Sequence, residues 1–300
     1  MEAYWQPHYF SIAEHQICVS FRSGQPNSAA LIPSYEPFRV EEDDAACVMR
    51  LEVDDELQVV PKEKRVRVRT FETGNGDTIV DQIEGEGGYQ FIIKDVRGRS
   101  CCLLIADADF AHCRCALNGD GVMRAFGLNS ALLLAYAFAT CGRQTLLIHA
   151  SLVRHGGYGY AFIAKSGTGK STQVAMWLRC IPDCDLMNDD NPVVRVIGET
   201  AFIYGSPWSG KTPCYRQVKA RLGAVTLIDR AATNSVDHLR ALKAFATLLP
   251  SCSSMKWDAR LYDHVCKTVS RVVSLSDVYT LHCLPNEEAA KVCFKAIAKG

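Results

Sequence analysis

Several things are missing from this sequence, and each absence narrows the field. There is no excess of charge of one sign, because 33 Lys and Arg balance 33 Asp and Glu. So even a balance gives no general attraction to nucleic acid or to an anionic membrane, and neither is expected as a partner. The opening residues, MEAYWQPHYF, have neither a basic flank nor an apolar stretch and do not read as a signal peptide. The longest uninterrupted apolar run, Ala131 to Ala139, is shorter than a bilayer crossing needs. A cytoplasmic chain is the expectation. No C-x-x-C pair occurs, although cysteine itself is plentiful at 14 residues. Without the other marks of a secreted disulfide scaffold, these thiols read as small buried side chains. The tightest cluster, Cys101, Cys102, His112, Cys113 and Cys115, matches no common zinc spacing and alternates with apolar residues as a strand does.

What is present begins with length. A chain of 300 residues holds one large domain or two ordinary ones. The first part reads as β-rich: Tyr9 to Val19, Val48 to Val53, Arg65 to Phe71, Ile79 to Glu84, Tyr89 to Asp95 and Ser100 to Ala106, punctuated by glycine turns. These predict a small antiparallel module over residues 1–118. In Arg65-Val-Arg-Val-Arg69, alternation puts Val66 and Val68 on one face and three arginines on the other. That strip is either an anion site or a half-exposed strand beside acidic neighbours. Val122 to Thr140 then predicts a long helix, apolar on most faces and therefore buried against a sheet. It opens a second domain over residues 119–300.

The centre of that second domain is Ala164-Lys165-Ser166-Gly167-Thr168-Gly169-Lys170-Ser171-Thr172. It follows a short apolar strand, Tyr160 to Ile163, and opens a helix from Ser171 to Arg179, the setting of a phosphate-binding P-loop. Glycines 167 and 169 let the backbone turn its N–H groups inward, while Lys170 and the helix N-terminus add positive potential. Residues 165–172 are thus candidate nucleotide ligands. The Ser171 hydroxyl is placed to ligate Mg²⁺, with Thr172 as a substitute. Ala164 stands where the full pattern has its first glycine.

Three further features gather around the loop. His149 lies on the preceding strand, Leu146 to Val153, joined to the loop's strand by the short Arg154-His-Gly-Gly-Tyr-Gly159 turn. It is either a hydrogen-bonded core histidine or an active-site residue. Leu186-Met-Asn-Asp189-Asp190-Asn-Pro192 ends an apolar approach in paired carboxylates, one suited to Mg²⁺ and one to accepting a proton. The alternative is an acidic turn capped by Asn-Pro. Last, Tyr204-Gly-Ser-Pro-Trp208-Ser-Gly-Lys211-Thr-Pro213 and Arg216 form a Gly/Pro loop. It is either a ligand wall, with Trp208 covering a substrate and Lys211 and Arg216 offsetting phosphoryl charge, or a structural loop around a buried Trp.

In its order of His, P-loop and Asp-Asp pair, the chain resembles the catalytic domain of HPr kinase/phosphorylase and its smaller serine-kinase relatives. The segments that carry the resemblance are Ile148-His149-Ala150, Ala164 to Ser171 and Asp189-Asp190. The resemblance implies a mixed-sheet α/β fold of the phosphoenolpyruvate-carboxykinase-like P-loop type, behind an N-terminal β-rich domain. It implies ATP and Mg²⁺ as cofactors, Asp190 as proton acceptor assisted by His149, Lys170 on the transferred phosphate, and Ser171 and Asp189 at the metal. It leaves room for a homo-oligomer, as in relatives that assemble. Two departures qualify it. The family's carboxylate-bearing segment after the Asp pair is replaced by Phe202-Ile-Tyr204-Gly205, and its following Gly-Ala-Gly-Ala loop is absent. A one-way kinase acting on a hydroxyl, of serine in a peptide or as a small molecule, is therefore expected rather than reversible phosphorylation. The alternative is a nucleotide-sensing module that binds without transfer.

Overall fold

The computed structural model describes residues 4–43, 47–72, 76–85, 87–165, 167–210 and 212–299. They form a mixed α/β protein of two units, residues 1–140 and 141–300. Each is built on its own sheet with parallel and antiparallel pairings. The division falls after the long helix, later than the boundary near residue 118 expected from the sequence.

In the first unit the strands are β1 (Trp5–Ile12), β2 (His15–Arg22), β3 (Cys47–Val53), β4 (Arg65–Glu72), β5 (Asp77–Ile83), β6 (Tyr89–Lys94), β7 (Ser100–Ala106) and β8 (His112–Leu117). They lie in the order β1-β2-β3-β8-β7-β6-β5-β4. The expected antiparallel module is corrected here, because β3 runs parallel to both β2 and β8. The single first strand is corrected too. It is a hairpin turning at Ala13-Glu14, both at positive φ (48° and 63°) without a glycine to announce it. On edge strand β4 the register shifts between Arg67 and Arg69, so Val66 is 54% exposed instead of sharing a buried face with Val68. Arg65 and Arg67 both pair with buried Asp81, which uses their charge within the sheet.

Helix α1 (Gly121–Cys141) closes this unit. It is long and apolar enough to cross a membrane by length and composition. Here it packs within its unit instead: the Phe138 ring meets that of Phe110 at a tilt, 5.2 Å between centroids, and the Tyr136 hydroxyl donates to the Ile12 carbonyl at 2.9 Å. Gly127 allows the approach, since a Cβ there would lie 2.7 Å from the Cys101 carbonyl oxygen. Cys113 and Cys115 are buried between strands. Burial raises the Cys113 thiol well above its ordinary pKa, and the hydrogen bond that the Cys115 thiol donates to Cys102, followed by burial, does the same for Cys115. Both stay protonated and unreactive at neutral pH.

The second unit contains β9 (Thr145–Leu147), β10 (Ala150–His155), β11 (Tyr158–Ile163), α2 (Lys170–Cys180), β12 (Asp185–Asp190), β13 (Val193–Ile197), β14 (Thr200–Tyr204) and β15 (Lys219–Arg230). After them come β16 (Ser235–His238), α3 (Ala241–Leu248), α4 (Ala259–Leu275), β17 (Asp277–Cys283) and α5 (Glu287–Ile297). The sheet runs β12-β10-β11-β15-β14-β13-β9, with β17 beside β15 and β16 beside β17. Val236 lies on the short strand β16, and the helix that follows begins only at Ala241. β17 has a neighbour on each side.

Two pairings place the site. β10 and β11 form an antiparallel hairpin at Gly156-Gly157, both at positive φ (57° and 82°). β11, β15 and β17 are mutually parallel, so their C-terminal ends share one edge of the sheet, where α2 begins. Trp177, fully buried, anchors α2 against β11 and α5. Its ring lies 5.3 Å from both Tyr160 and Phe162 and 5.5 Å from Phe294. Ring contacts of this kind fix the helix, and with it the loop that leads into it.

Candidate active site

The loop between β11 and α2 needs its glycines for conformation, not for space. Gly167 and Gly169 have φ of 75° and 131°, and a Cβ on either would meet nothing within 4 Å. Gly169 caps α2 without any side-chain bond, so the first-turn N–H groups remain available to an anion. Arg230, at the end of β15, fastens the loop by donating to the Gly167 carbonyl at 2.6 Å and the Thr168 carbonyl at 3.0 Å. Ser171 and Thr172 are exposed on the first turn. Ser166 lies outside the described residues.

His149 sits at a break instead of within a continuous strand. The chain leaves β9, which pairs with β13, and enters β10, which pairs with β11 and β12. The register matches Ala150 with Asp190 and Ser151 with Asp189, so His149 lies beside the carboxylate pair. Its Nδ1 is 3.0 Å from Asp190 Oδ1, and its Nε2 is 2.8 Å from Lys170 Nζ. An ammonium can only donate, so Nε2 accepts and Nδ1 carries the proton given to Asp190. The result is one hydrogen-bonded line, Lys170 to His149 to Asp190, beside the glycine loop. Lys170 also donates to the Ala164 carbonyl at 3.3 Å. Burial lowers its pKa, an effect that Asp190 and Asp189 oppose.

The two aspartates differ. Asp189 is 6% exposed; its Oδ1 accepts from the Ser151 hydroxyl at 2.6 Å and its Oδ2 from the Thr212 N–H at 3.4 Å. Asp190 has φ 143°, a conformation that L side chains rarely adopt, and its side chain is 33% exposed. Strain of this kind costs about 1–3 kcal/mol and persists where the surroundings enforce it. Here they do. The Ser209 hydroxyl and the Gly210 N–H both donate to the Asp189 carbonyl, and a Cβ on Gly210 would lie 3.3 Å from that of Asp190. Sequence reasoning missed the residue that organises this corner. Asn188, fully buried, donates to the Ser206 hydroxyl at 3.2 Å and the Trp208 carbonyl at 3.1 Å, and accepts from Asn191 N–H at 3.1 Å.

Two expected substrate groups are placed otherwise. Trp208 is 2% exposed, a core residue under the loop instead of a cover over a ligand. Arg216 donates to Asp185 Oδ2 at 2.7 Å, at the opposite end of β12. At about 3.3 Å per residue that end is roughly 17 Å from Asp190. Lys211 lies outside the described residues. Phe202, where a further carboxylate was sought, instead lies under the Lys219 ammonium at 4.2 Å from the ring centroid.

Ser171, Asp189 and Asp190 are hard oxygen donors, the class that Mg²⁺ takes, and each Asp189 oxygen keeps a second lone pair. Among the described residues no three His, Cys, Asp or Glu gather into a metal cage. A Mg²⁺ ion shared with phosphates and water does not need one. No family model matches the chain, and no curated protein matches it.

Proposed function

We propose that the second unit is an ATP- and Mg²⁺-dependent phosphotransferase of the HPr-kinase-like type, acting on a hydroxyl of serine in a peptide or as a small molecule. The observation that supports this most is the Lys170–His149–Asp190 line beside a glycine-rich loop at a helix N-terminus. The loop N–H groups and Lys170 bind the phosphates and offset charge that develops on the transferred group. Asp190 accepts the proton of the attacking hydroxyl, while His149, bonded at Nδ1, fixes the orientation of that carboxylate. Asp189, locked by Ser151 and Thr212, stays ready beside it with Ser171 to hold the metal. Ser171 and Asp189 would hold a Mg²⁺ ion, whose charge would offset that of the phosphates. In this reading the strained backbone at Asp190 serves to aim its carboxylate.

Phe202 supports a second reading, a nucleotide-sensing module without transfer, because no carboxylate stands at that position. The experiment that separates them is transfer from γ-labelled ATP with Mg²⁺, offering free serine, serine peptides and a cell extract as acceptors. Labelled product that disappears in Lys170→Ala and Asp190→Ala supports the kinase. Tight ATP binding with no labelled product from any acceptor supports the sensor.

A further inference from the structure

The loop between β14 and β15 carries a serine into the candidate site. From Gly205 to Trp208 it is buried, and it is pinned on both sides of the carboxylate pair. Asn188, just before the pair, donates to the Ser206 hydroxyl at 3.2 Å and to the Trp208 carbonyl at 3.1 Å. Just after the pair, the Asn191 carbonyl accepts from the Ser206 hydroxyl at 2.6 Å. The chain then emerges at Ser209, which is half-buried and forms an isolated antiparallel bridge with Asp190. Residues paired in this way carry their Cβ atoms about 5 Å apart on one face. Asp190 thus stands between Ala150 of β10 on one flank and Ser209 on the other.

Two features fit this serine for reaction. Its hydroxyl, with one proton to give, lies between the backbone carbonyls of Asp189 at 3.1 Å and Thr212 at 2.7 Å. A rotation about χ1 to another staggered position releases it without moving the backbone. The next residue is Gly210, exposed, on which a Cβ would lie 3.3 Å from the Asp190 Cβ and 3.5 Å from its carboxyl carbon. Gly210 places no side chain there, and that approach to the carboxylate is left to the serine.

We propose that Ser209 is phosphorylated by its own chain, with Asp190 taking its proton. This rests on the kinase reading above and extends it, because one acceptor of the centre is then part of the protein. In the step, the Ser209 Oγ bonds to the γ-phosphorus of ATP. The bond from that phosphorus to the β–γ bridging oxygen breaks, and ADP leaves with the electron pair. The hydroxyl proton passes to the Asp190 carboxylate and from there to water. A nucleophile fixed beside the carboxylate by Asn188 and Asn191 reacts within one molecule, so its effective concentration does not depend on how much protein is present.

The test is to treat the full chain with phosphatase, remove the phosphatase, and incubate the chain with Mg²⁺ and ATP. Intact mass and fragmentation of the peptide that spans Ser209 are the readouts. Expected is a gain of one phosphoryl group per chain, located on Ser209. Its first-order rate should stay within about twofold over an about tenfold range of protein concentration. Ser209→Ala should lose the modification, Ser209→Thr should keep it at the same position, and Asp190→Ala should slow it at least about a hundredfold. A phosphate on another residue, or a rate that rises in proportion to protein concentration, overturns the proposal. So does a chain that stays unmodified while free serine or a serine peptide is labelled, a result that leaves the kinase reading standing. If neither the chain nor any added acceptor is labelled, the kinase reading fails and this inference falls with it.

Discussion

The two ends of β12 carry the same side chain to opposite effect. At the first end, Asp185 is gripped by Arg154 at 2.9 and 3.0 Å and by Arg216 at 2.7 Å. Burial pushes its carboxyl up, but these two guanidinium partners prevail and hold it below the usual carboxylate range. At the other end, Asp190 meets a neutral imidazole at 3.0 Å and the Asn191 amide at 2.7 Å, on a backbone forced to positive φ. A carboxylate matched by two fixed cations is committed to structure. One that faces an imidazole and an amide, with its cation set one residue back behind His149, has no guanidinium partner to commit it in the same way. The difference between these ends is the physical content of the functional proposal.

That comparison can be broken in several ways. Lys170→Ala should have the largest effect, lowering transfer by about a hundred- to thousandfold and weakening ATP binding as well, measured by labelled transfer and calorimetry. His149→Asn removes the bond that orients Asp190 and should lower transfer at least about tenfold, with ATP affinity little changed. A structural readout then sharpens the contrast. Trp208→Ala empties the core beneath the loop that presses on Asp189 and Asp190, at a cost of about 3–5 kcal/mol in denaturant unfolding. Asp185→Asn should be the mildest. Its ion pairs are over a third exposed, so the loss above pH 5 is less than about 1 kcal/mol, with transfer unchanged. Because the folded pKa of Asp185 lies below its unfolded one, its stabilising effect is present above the ordinary value of 3.8 and lost as pH falls through the folded value. The variant should accordingly flatten the acid limb of the stability profile.

How much of this was legible in the sequence depends on whether the signal was local. The phosphate loop could be read because the strand, the two glycines, the lysine and the helix are contiguous, and their physics is contiguous too. The hairpin ahead of it was legible from Gly156-Gly157. The turn at Ala13-Glu14 was not, since neither residue advertises positive φ and the strain is absorbed by the pairing of β1 with β2. Val66 misled because a bulge breaks the alternation that defined its face. Trp208 looked exposed because its neighbours are Gly, Ser and Pro. Its carbonyl is held by Asn188, 20 positions earlier, a contact that no local pattern announces. Arg216 looked available for a phosphate because Asp185, its partner, is 31 positions away in the chain.

The account's central claim is that Asp190 is poised for chemistry, not for holding the nucleotide. Measuring labelled phosphoryl transfer and ATP affinity on the same preparation of Asp190→Ala tests it most directly. The account predicts transfer lowered by about a hundred- to ten-thousandfold, with ATP affinity within about threefold of the unaltered protein. Transfer that survives the substitution, or ATP binding that collapses along with it, would contradict the claim.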